Sequence, residues 1–342
     1  MKKRIFKTFQ YLIFLAVGIV IFWLIYRNLE IEDLVNALKR INYWWLGLGL
    51  AFSLLSHVSR ALRWRMLILP LGHYPKRLNA FFAVMIMYLT NLLIPRAGEL
   101  ARCSVLTKYE KVPFAKGLGT VVTERITDIF FMLLMTIIIL FTQLPVLQDF
   151  FLQNPEIAKN WDKLTSQRNI VIIVIIIVAT GIIVYLSRAM LKKTLLYKKS
   201  LEITKSFYLG AKSIIHLQRP FLFIGHSIFI YLMYFLTMLA TMKSFPPTEN
   251  IDATAALIVF FMSTLAMLAP VQGGIGPYHF MVYKTLLLYG VAGANGKIFA
   301  LIAHTSVNLV ILLFGVLSLI FLPLFNDTKV PSVSILKDVV EE

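Results

Sequence analysis

The chain predicts an all-α, polytopic membrane bundle with two oppositely oriented re-entrant hairpins arranged as an inverted repeat. Three observations carry this expectation. Hydrophobic residues make up 58% of 342, charged residues 15%, and the mean hydropathy is +0.77. Several apolar runs reach the ~20 residues that cross a ~30 Å hydrocarbon core. Two further apolar runs, one in each half, are interrupted by Pro-x-x-Gly, at Pro95–Gly98 and at Pro270–Gly273. Matching interruptions in the two halves of a membrane protein point to a binding site near the bilayer midplane.

The elements follow in chain order. Residues 9–26 form a long apolar run without a small-x-small exit, so they read as a retained first span rather than a cleaved leader. Ile31, Leu34, Val35, Leu38 and Ile41 then recur at helical spacing, followed by Tyr43, Trp44 and Trp45. That pattern predicts a short interfacial helix with an aromatic anchor. Further spans are expected at 44–62, 118–141, 169–187, 220–242 and 298–323, with the broken segments at 78–108 and 253–290. The loop 142–168 is polar and holds Pro145 and Pro155. Residues 1–326 read as one transmembrane domain and 327–342 as a flexible cytoplasmic tail. The single cysteine, Cys103, excludes an intrachain disulfide and a cysteine metal cluster, and reads as a small buried apolar residue.

Charge sets the orientation. Lys and Arg number 34 against 17 acids. With the N-terminus inside, 23 of the 34 fall on inner segments, 8 on outer ones and 3 (Arg96, Arg125, Lys284) within membrane segments. The positive-inside bias therefore places both termini in the cytoplasm of a multi-pass protein of the cell membrane. Lys76, Arg77, Lys108, Lys111 and Lys116 put both flanks of 78–108 inside, so that segment enters from within, turns near Pro95 and returns. Segment 253–290 dips in from the opposite face. Non-helical backbone at such depth is tolerated only inside protein or beside a watery cavity, so the two tips are expected to meet. The units 44–141 and 220–323 then run in opposite directions. A plainer arrangement also stands, in which 78–94 and 253–269 simply span. Arms of about 25 Å fit either one.

Ionisable residues at membrane depth are the candidate chemistry. Arg96, Glu99, Glu124, Arg125 and Asp128 would each cost ~2.5–3.5 kcal/mol unpaired, roughly 12–17 kcal/mol together. They must face one another or water. Glu124 and Asp128, four apart, share one helix face. The cluster reads either as an inert neutralised network or as a headgroup or proton site. At the second break, Gly273, Gly274 and Gly276 allow close backbone approach. The half-helix after them would offer free N–H groups to an anion, with His279 and Lys284 on it. His304 and Asn308 lie four apart, and an interhelical hydrogen bond is their simpler role. Arg60, Arg63 and Arg65 either contact phosphate or snorkel. The basic stretch 188–219 either attracts anionic lipids of the cytoplasmic leaflet or only sets topology.

Asn91 to Arg102 (Asn-x-x-x-Pro-Arg-x-Gly-Glu-x-x-Arg), Glu124-Arg125-x-x-Asp128, Pro270-x-x-Gly-Gly-x-Gly276 and Arg60-x-x-Arg63-Trp64 carry a resemblance. Together they look like the lysylphosphatidylglycerol synthase transmembrane family, also called flippase-like or uncharacterised family 0104. The resemblance covers nearly the whole chain. It implies a membrane domain that moves a modified lipid between leaflets, here expected without the soluble aminoacyl-transferase domain of the aminoacyl-phosphatidylglycerol proteins. Where that family often has Glu three residues after the last glycine, this chain has His279.

The expected function is a lipid flippase or translocase acting on a phospholipid or lipid-linked headgroup. Its polar site would comprise Arg96, Glu99, Arg102, Glu124, Arg125 and Asp128, with Asn91 beside it. No nucleotide-binding motif is present, so any drive is an ion gradient, a proton relay or downhill flow. No catalytic residue, metal, cofactor or nucleic-acid partner is assigned. Two alternatives stay open. One is a membrane-embedded transferase acting on lipid-linked sugars or phosphates, with Glu30, Glu32 and Asp33 as metal ligands. The other is a non-transporting scaffold.

Overall fold

The computed structural model describes residues 16–142, 217–269 and 271–326. Ten α-helices run through them, with no strand among the described residues. They are α1 (Ala16–Tyr26), α2 (Ile31–Arg40), α3 (Tyr43–Ile68), α4 (Arg77–Leu93) and α5 (Gly98–Glu110). The rest are α6 (Phe114–Thr142), α7 (Pro220–Ser244), α8 (Ala253–Ala266), α9 (Pro277–Leu288) and α10 (Gly293–Leu324). The expected span 169–187, the loop 142–168 apart from Thr142, the tail 327–342 and Pro270 lie outside the described residues, as do most of the basic stretch 188–219 and part of the first span.

Three described helices are long and apolar enough to cross a membrane: α3 with its extension to Leu71, α7 and α10. Helix α6, an expected fourth, has 29 residues but is not among them, and it carries Glu124, Arg125 and Asp128. Helix α2 forms where its pattern placed a short helix, with Ile31, Val35 and Leu38 exposed and Tyr43 and Trp44 exposed just after it. Asn42 starts α3 by accepting from the Trp44 and Trp45 N–H groups.

Both interrupted segments fold as antiparallel helix pairs. In the first, Ile94 adopts an extended conformation (φ −131°, ψ 109°), as the residue before a proline prefers, and α4 ends there. Asn91 Oδ1 accepts from the Gly98 N–H at 2.8 Å and closes the turn. At the other end of the pair, Glu110 accepts from the Lys76 N–H and the Asn79 amide. In the second, the base of α8 packs beside the end of α9: Ala256, Val259 and Phe260 share a buried cluster with Val282 and Leu286. Gly276 precedes α9 with φ 91°, a region closed to other residues at low cost, and a methyl there would lie 2.6 Å from the Gly18 carbonyl of α1.

The two pairs sit on a central antiparallel couple, α3 with α7. The Asn42 N–H donates to the Ser244 carbonyl at one end (2.8 Å), and Leu67 packs with Phe223 near the other. The stronger helix–helix contacts of the two sets of four helices come in matched pairs. Helices α3–α4 match α7–α8, α4–α5 match α8–α9, and α5–α6 match α9–α10. Likewise α4–α10 match α8–α6, α3–α6 match α7–α10, and α3–α10 match α7–α6. Apolar burial follows the same division. Of the two largest buried clusters, one surrounds α4 and α5 and the other surrounds α8, α9 and the inner face of α2, while a smaller one joins Phe82 and Ile86 of α4 to Leu322 of α10.

Asp252 caps α8: its carboxylate accepts from the Ala255 N–H at 2.6 Å and from the Thr254 hydroxyl. The Ala255 bond, with help from Thr254, holds this loop carboxyl below its ordinary range. A depressed pKa contributes stability that is complete above the unfolded value and fades as pH falls through the folded one. Asp252→Ala is expected to cost about 1 kcal/mol at neutral pH, while Asp252→Asn costs little. Unfolding curves check this, and the gap between wild type and the alanine variant should close at pH values below about 4.

Candidate functional site

The site begins with spacing on two helices. On α3, Arg60, Arg63, Trp64 and Leu67 recur at one helical face; on α6, Glu124 and Asp128 do the same. Packing of α3 on α6 brings the stripes together, and α5 adds Arg102. Glu124 Oε1 lies 2.6 Å from Arg60 Nη1 and 3.3 Å from Arg63 Nη2, and its Oε2 lies 2.7 Å from Arg102 Nη1. Asp128 is 2.7 Å from Arg63, 3.2 Å from Arg60 and 3.4 Å from Arg125. The side chains of Glu124, Arg63 and Arg102 are 0% exposed. Their charges are therefore held in a poorly screening interior, where only mutual pairing offsets the loss of hydration.

Neighbours fix this network in place. Trp64 donates its indole N–H to Thr120 at 2.9 Å, and the Arg102 guanidinium lies 4.6 Å from the Trp64 ring centre. The Tyr231 hydroxyl donates to the Asp128 carbonyl at 2.9 Å. Arg125 reaches Glu99 at 3.2 Å on the rim, where the two side chains are 43% and 24% exposed. Four arginines thus meet three carboxylates. Arg60 Nε, Arg63 Nε, Arg102 Nε and Nη2, and Arg125 Nε have no acceptor among the described residues.

Arg96 stands apart. It is exposed, makes no ion pair among the described residues, and holds the left-handed conformation at φ 64°. That backbone costs a non-glycine residue on the order of 1 kcal/mol. Asn91 serves the turn rather than the charge cluster.

The second turn gathers different groups. His304 Nε2 donates to the Gly273 carbonyl at 2.6 Å, and Asn308 donates to the His304 ring at 3.2 Å. Those roles assign the proton of neutral His304 to Nε2. His279 Nδ1 accepts from the Gly276 N–H at 3.4 Å, while its buried Nε2 has no partner among the described residues. The His279 ring meets Phe22, Tyr26 and His304 edge to face, at centroid distances of 5.1, 5.6 and 4.6 Å. Gly274 is buried in the turn itself, against Met267. Lys284 is exposed over Phe280 and Tyr283, away from the histidines. The two turns touch: a methyl on Gly273 would lie 3.3 Å from Leu92 Cδ2 of α4.

The family profile described as "Lysylphosphatidylglycerol synthase TM region" matches residues 11–315. The chain belongs to this family. Among curated proteins, a UPF0104 membrane protein of Methanocaldococcus jannaschii is 26% identical over 143 residues, 41% of this chain and 42% of the relative. The matched region thus spans less than half of that relative's length. No solved structure matches. The chain is accordingly a membrane protein of the lysylphosphatidylglycerol synthase TM type.

Within this family member, one buried group escaped the reading of the sequence. His57 on α3 is 3% exposed, neither ring nitrogen has a partner among the described residues, and its ring lies 4.4 Å from that of Tyr88. Tyr88 in turn shares a hydrogen bond with Tyr234 at 3.1 Å. The signal was present: Ser53, Ser56, His57 and Arg60 form a polar stripe at helical spacing inside an apolar span. Glu30, Glu32 and Asp33 are exposed at the start of α2, where carboxylates favour a helix N-terminus. No group of three metal-ligating side chains occurs among the described residues.

Proposed function

We propose that this protein translocates a phospholipid or lipid-linked headgroup between leaflets, leaving its bonds unchanged. The observation that carries the reading is the arginine-rich network beside two touching helical turns. Its surplus positive charge and free guanidinium N–H groups suit a phosphate, which arginine binds through directed, charge-assisted hydrogen bonds. In this reading α4–α5 and α8–α9 are re-entrant hairpins from opposite leaflets. The matched helix pairings support an inverted repeat, and rocking of one unit against the other would expose the site alternately. Arg96 and the Arg125–Glu99 pair meet the headgroup first, at the rim. Arg60, Arg63 and Arg102 hold the carboxylates that shape the floor. Both termini lie in the cytoplasm of a cell-membrane protein, and anionic lipids gather at that face.

Lipid scrambling in proteoliposomes tests the proposal. Arg96→Ala and Arg125→Ala lie at the exposed rim and should leave the fold intact. Each is expected to slow transfer of a fluorescent anionic phospholipid by about tenfold, the factor that accompanies ~1.4 kcal/mol of lost binding. Wild-type rates in both variants, or no transfer by the unmodified protein, would remove the proposal.

A further inference from the structure

A second basic feature lies on the other side of α3. At 100° per residue, Leu62, Arg65, Met66 and Leu69 occupy the face opposite Arg60, Arg63 and Leu67. That outer face lines a cleft of about 450 Å³ closed by Arg77, the first residue of α4, and by Arg219 and Leu222 around the start of α7. Three arginines from three elements therefore converge at one end of the bundle. None of them forms an ion pair with an acid among the described residues, although Arg65 is steadied by donating to the Pro75 carbonyl at 2.7 Å. The lower wall is apolar, with Leu222 47% exposed. No side chain caps the first turn of α7, whose free N–H groups add to the positive field.

We infer that this cleft is a structural site for an anionic phospholipid of the cytoplasmic leaflet, separate from the network between α3, α5 and α6. The phosphate sits among Arg65, Arg77 and Arg219, and an acyl chain lies along Leu62 and Leu222, which are on the membrane side of those arginines. Charge and shape argue for a lipid over a free anion. The arginines stand at the end of the spans, where headgroups lie, and the apolar wall continues from them along the helices toward the hydrocarbon. A soluble phosphate would use only the upper half. Bridging α3, α4 and α7, the bound lipid would hold the base of the first helix pair against the central couple.

Titration of the purified protein in detergent with dioctanoyl phosphatidylglycerol tests this, with dioctanoyl phosphatidylcholine and inorganic phosphate as the other probes. Saturable binding of the anionic lipid is expected, with the zwitterionic lipid far weaker and phosphate unable to displace it. The Arg65→Gln, Arg77→Gln, Arg219→Gln triple variant should bind roughly 100-fold more weakly, given the contribution of each arginine near a lipid surface. Loss of Arg65 also removes its bond to Pro75, so a variant changed only at the exposed Arg77 and Arg219 supplies an independent reading, with a tenfold or greater loss expected. Unchanged lipid affinity in the double variant would overturn the site, and equal competition by inorganic phosphate would overturn its assignment to a lipid. The outcome is independent of translocation, because the zwitterionic-vesicle transfer rate of the double variant should match wild type even where Arg125→Ala does not.

Discussion

Glu124→Gln is expected to lower the stability of the protein by about 3–5 kcal/mol, the usual loss when one partner is removed from a fully buried ion pair. The reason lies in the count. Glu124 touches all three of Arg60, Arg63 and Arg102, whereas Asp128 shares Arg60 and Arg63 but no second acid among the described residues reaches Arg102. Without it, a 0% exposed guanidinium faces only the Trp64 ring and neutral amide oxygen. Thermal unfolding in detergent measures the effect. Combining Glu124→Gln with Arg102→Gln removes the stranded charge together with its partner, so the double variant should be more stable than the sum of the single losses predicts. Strict additivity would show that Arg102 and Glu124 do not interact, and would dissolve the network as drawn.

This network also marks the limit of what the sequence discloses. Pro95, Gly98 and Gly276 announce the breaks because their constraints are local: a proline restricts the residue before it, and a positive φ calls for glycine. The ends of α4 and α5 therefore fall close to the expected ones. The Glu124–Asp128 stripe was equally legible, and so was the need to neutralise it. Its partners were less so. Arg60 and Arg63 read as residues near the end of a span, since the sequence does not say which face of α3 turns toward α6. That is decided by packing between segments some sixty residues apart. Arg96 shows the converse. It belongs to the densest motif in the chain, yet a left-handed turn points it outward while Arg125 and Glu99 pair beside it. His57 needed both kinds of information, a polar stripe on α3 and the arrival of Tyr88 from α4.

Gly98→Ala is expected to have the second large effect, because the space there is absent rather than merely tight. A methyl at this position would lie 2.2 Å from the Met87 carbonyl oxygen and 2.7 Å from the Asn91 amide. The first is helical backbone and cannot rotate away, and the second is held by its bond to the Gly98 N–H itself. Helices α4 and α5 must therefore separate at the turn. Overpacking of a rigid site costs ~1–3 kcal/mol, occasionally more, and the upper end applies here. Separation would also carry Glu99 away from Arg125 and shift Arg102 beneath it, so under the proposed translocation lipid transfer should fall further than stability alone explains. Gly119→Ala on α6 is the matched control. No atom approaches its added methyl within 4 Å, and alanine is the better helix former by about 0.5–1 kcal/mol. It should melt at or above the wild-type midpoint. If Gly98→Ala behaves like Gly119→Ala, the two helices do not meet at Gly98, and segment 78–108 is no hairpin. If it unfolds while the control does not, the close turn at the head of the first pair is what positions the arginine network.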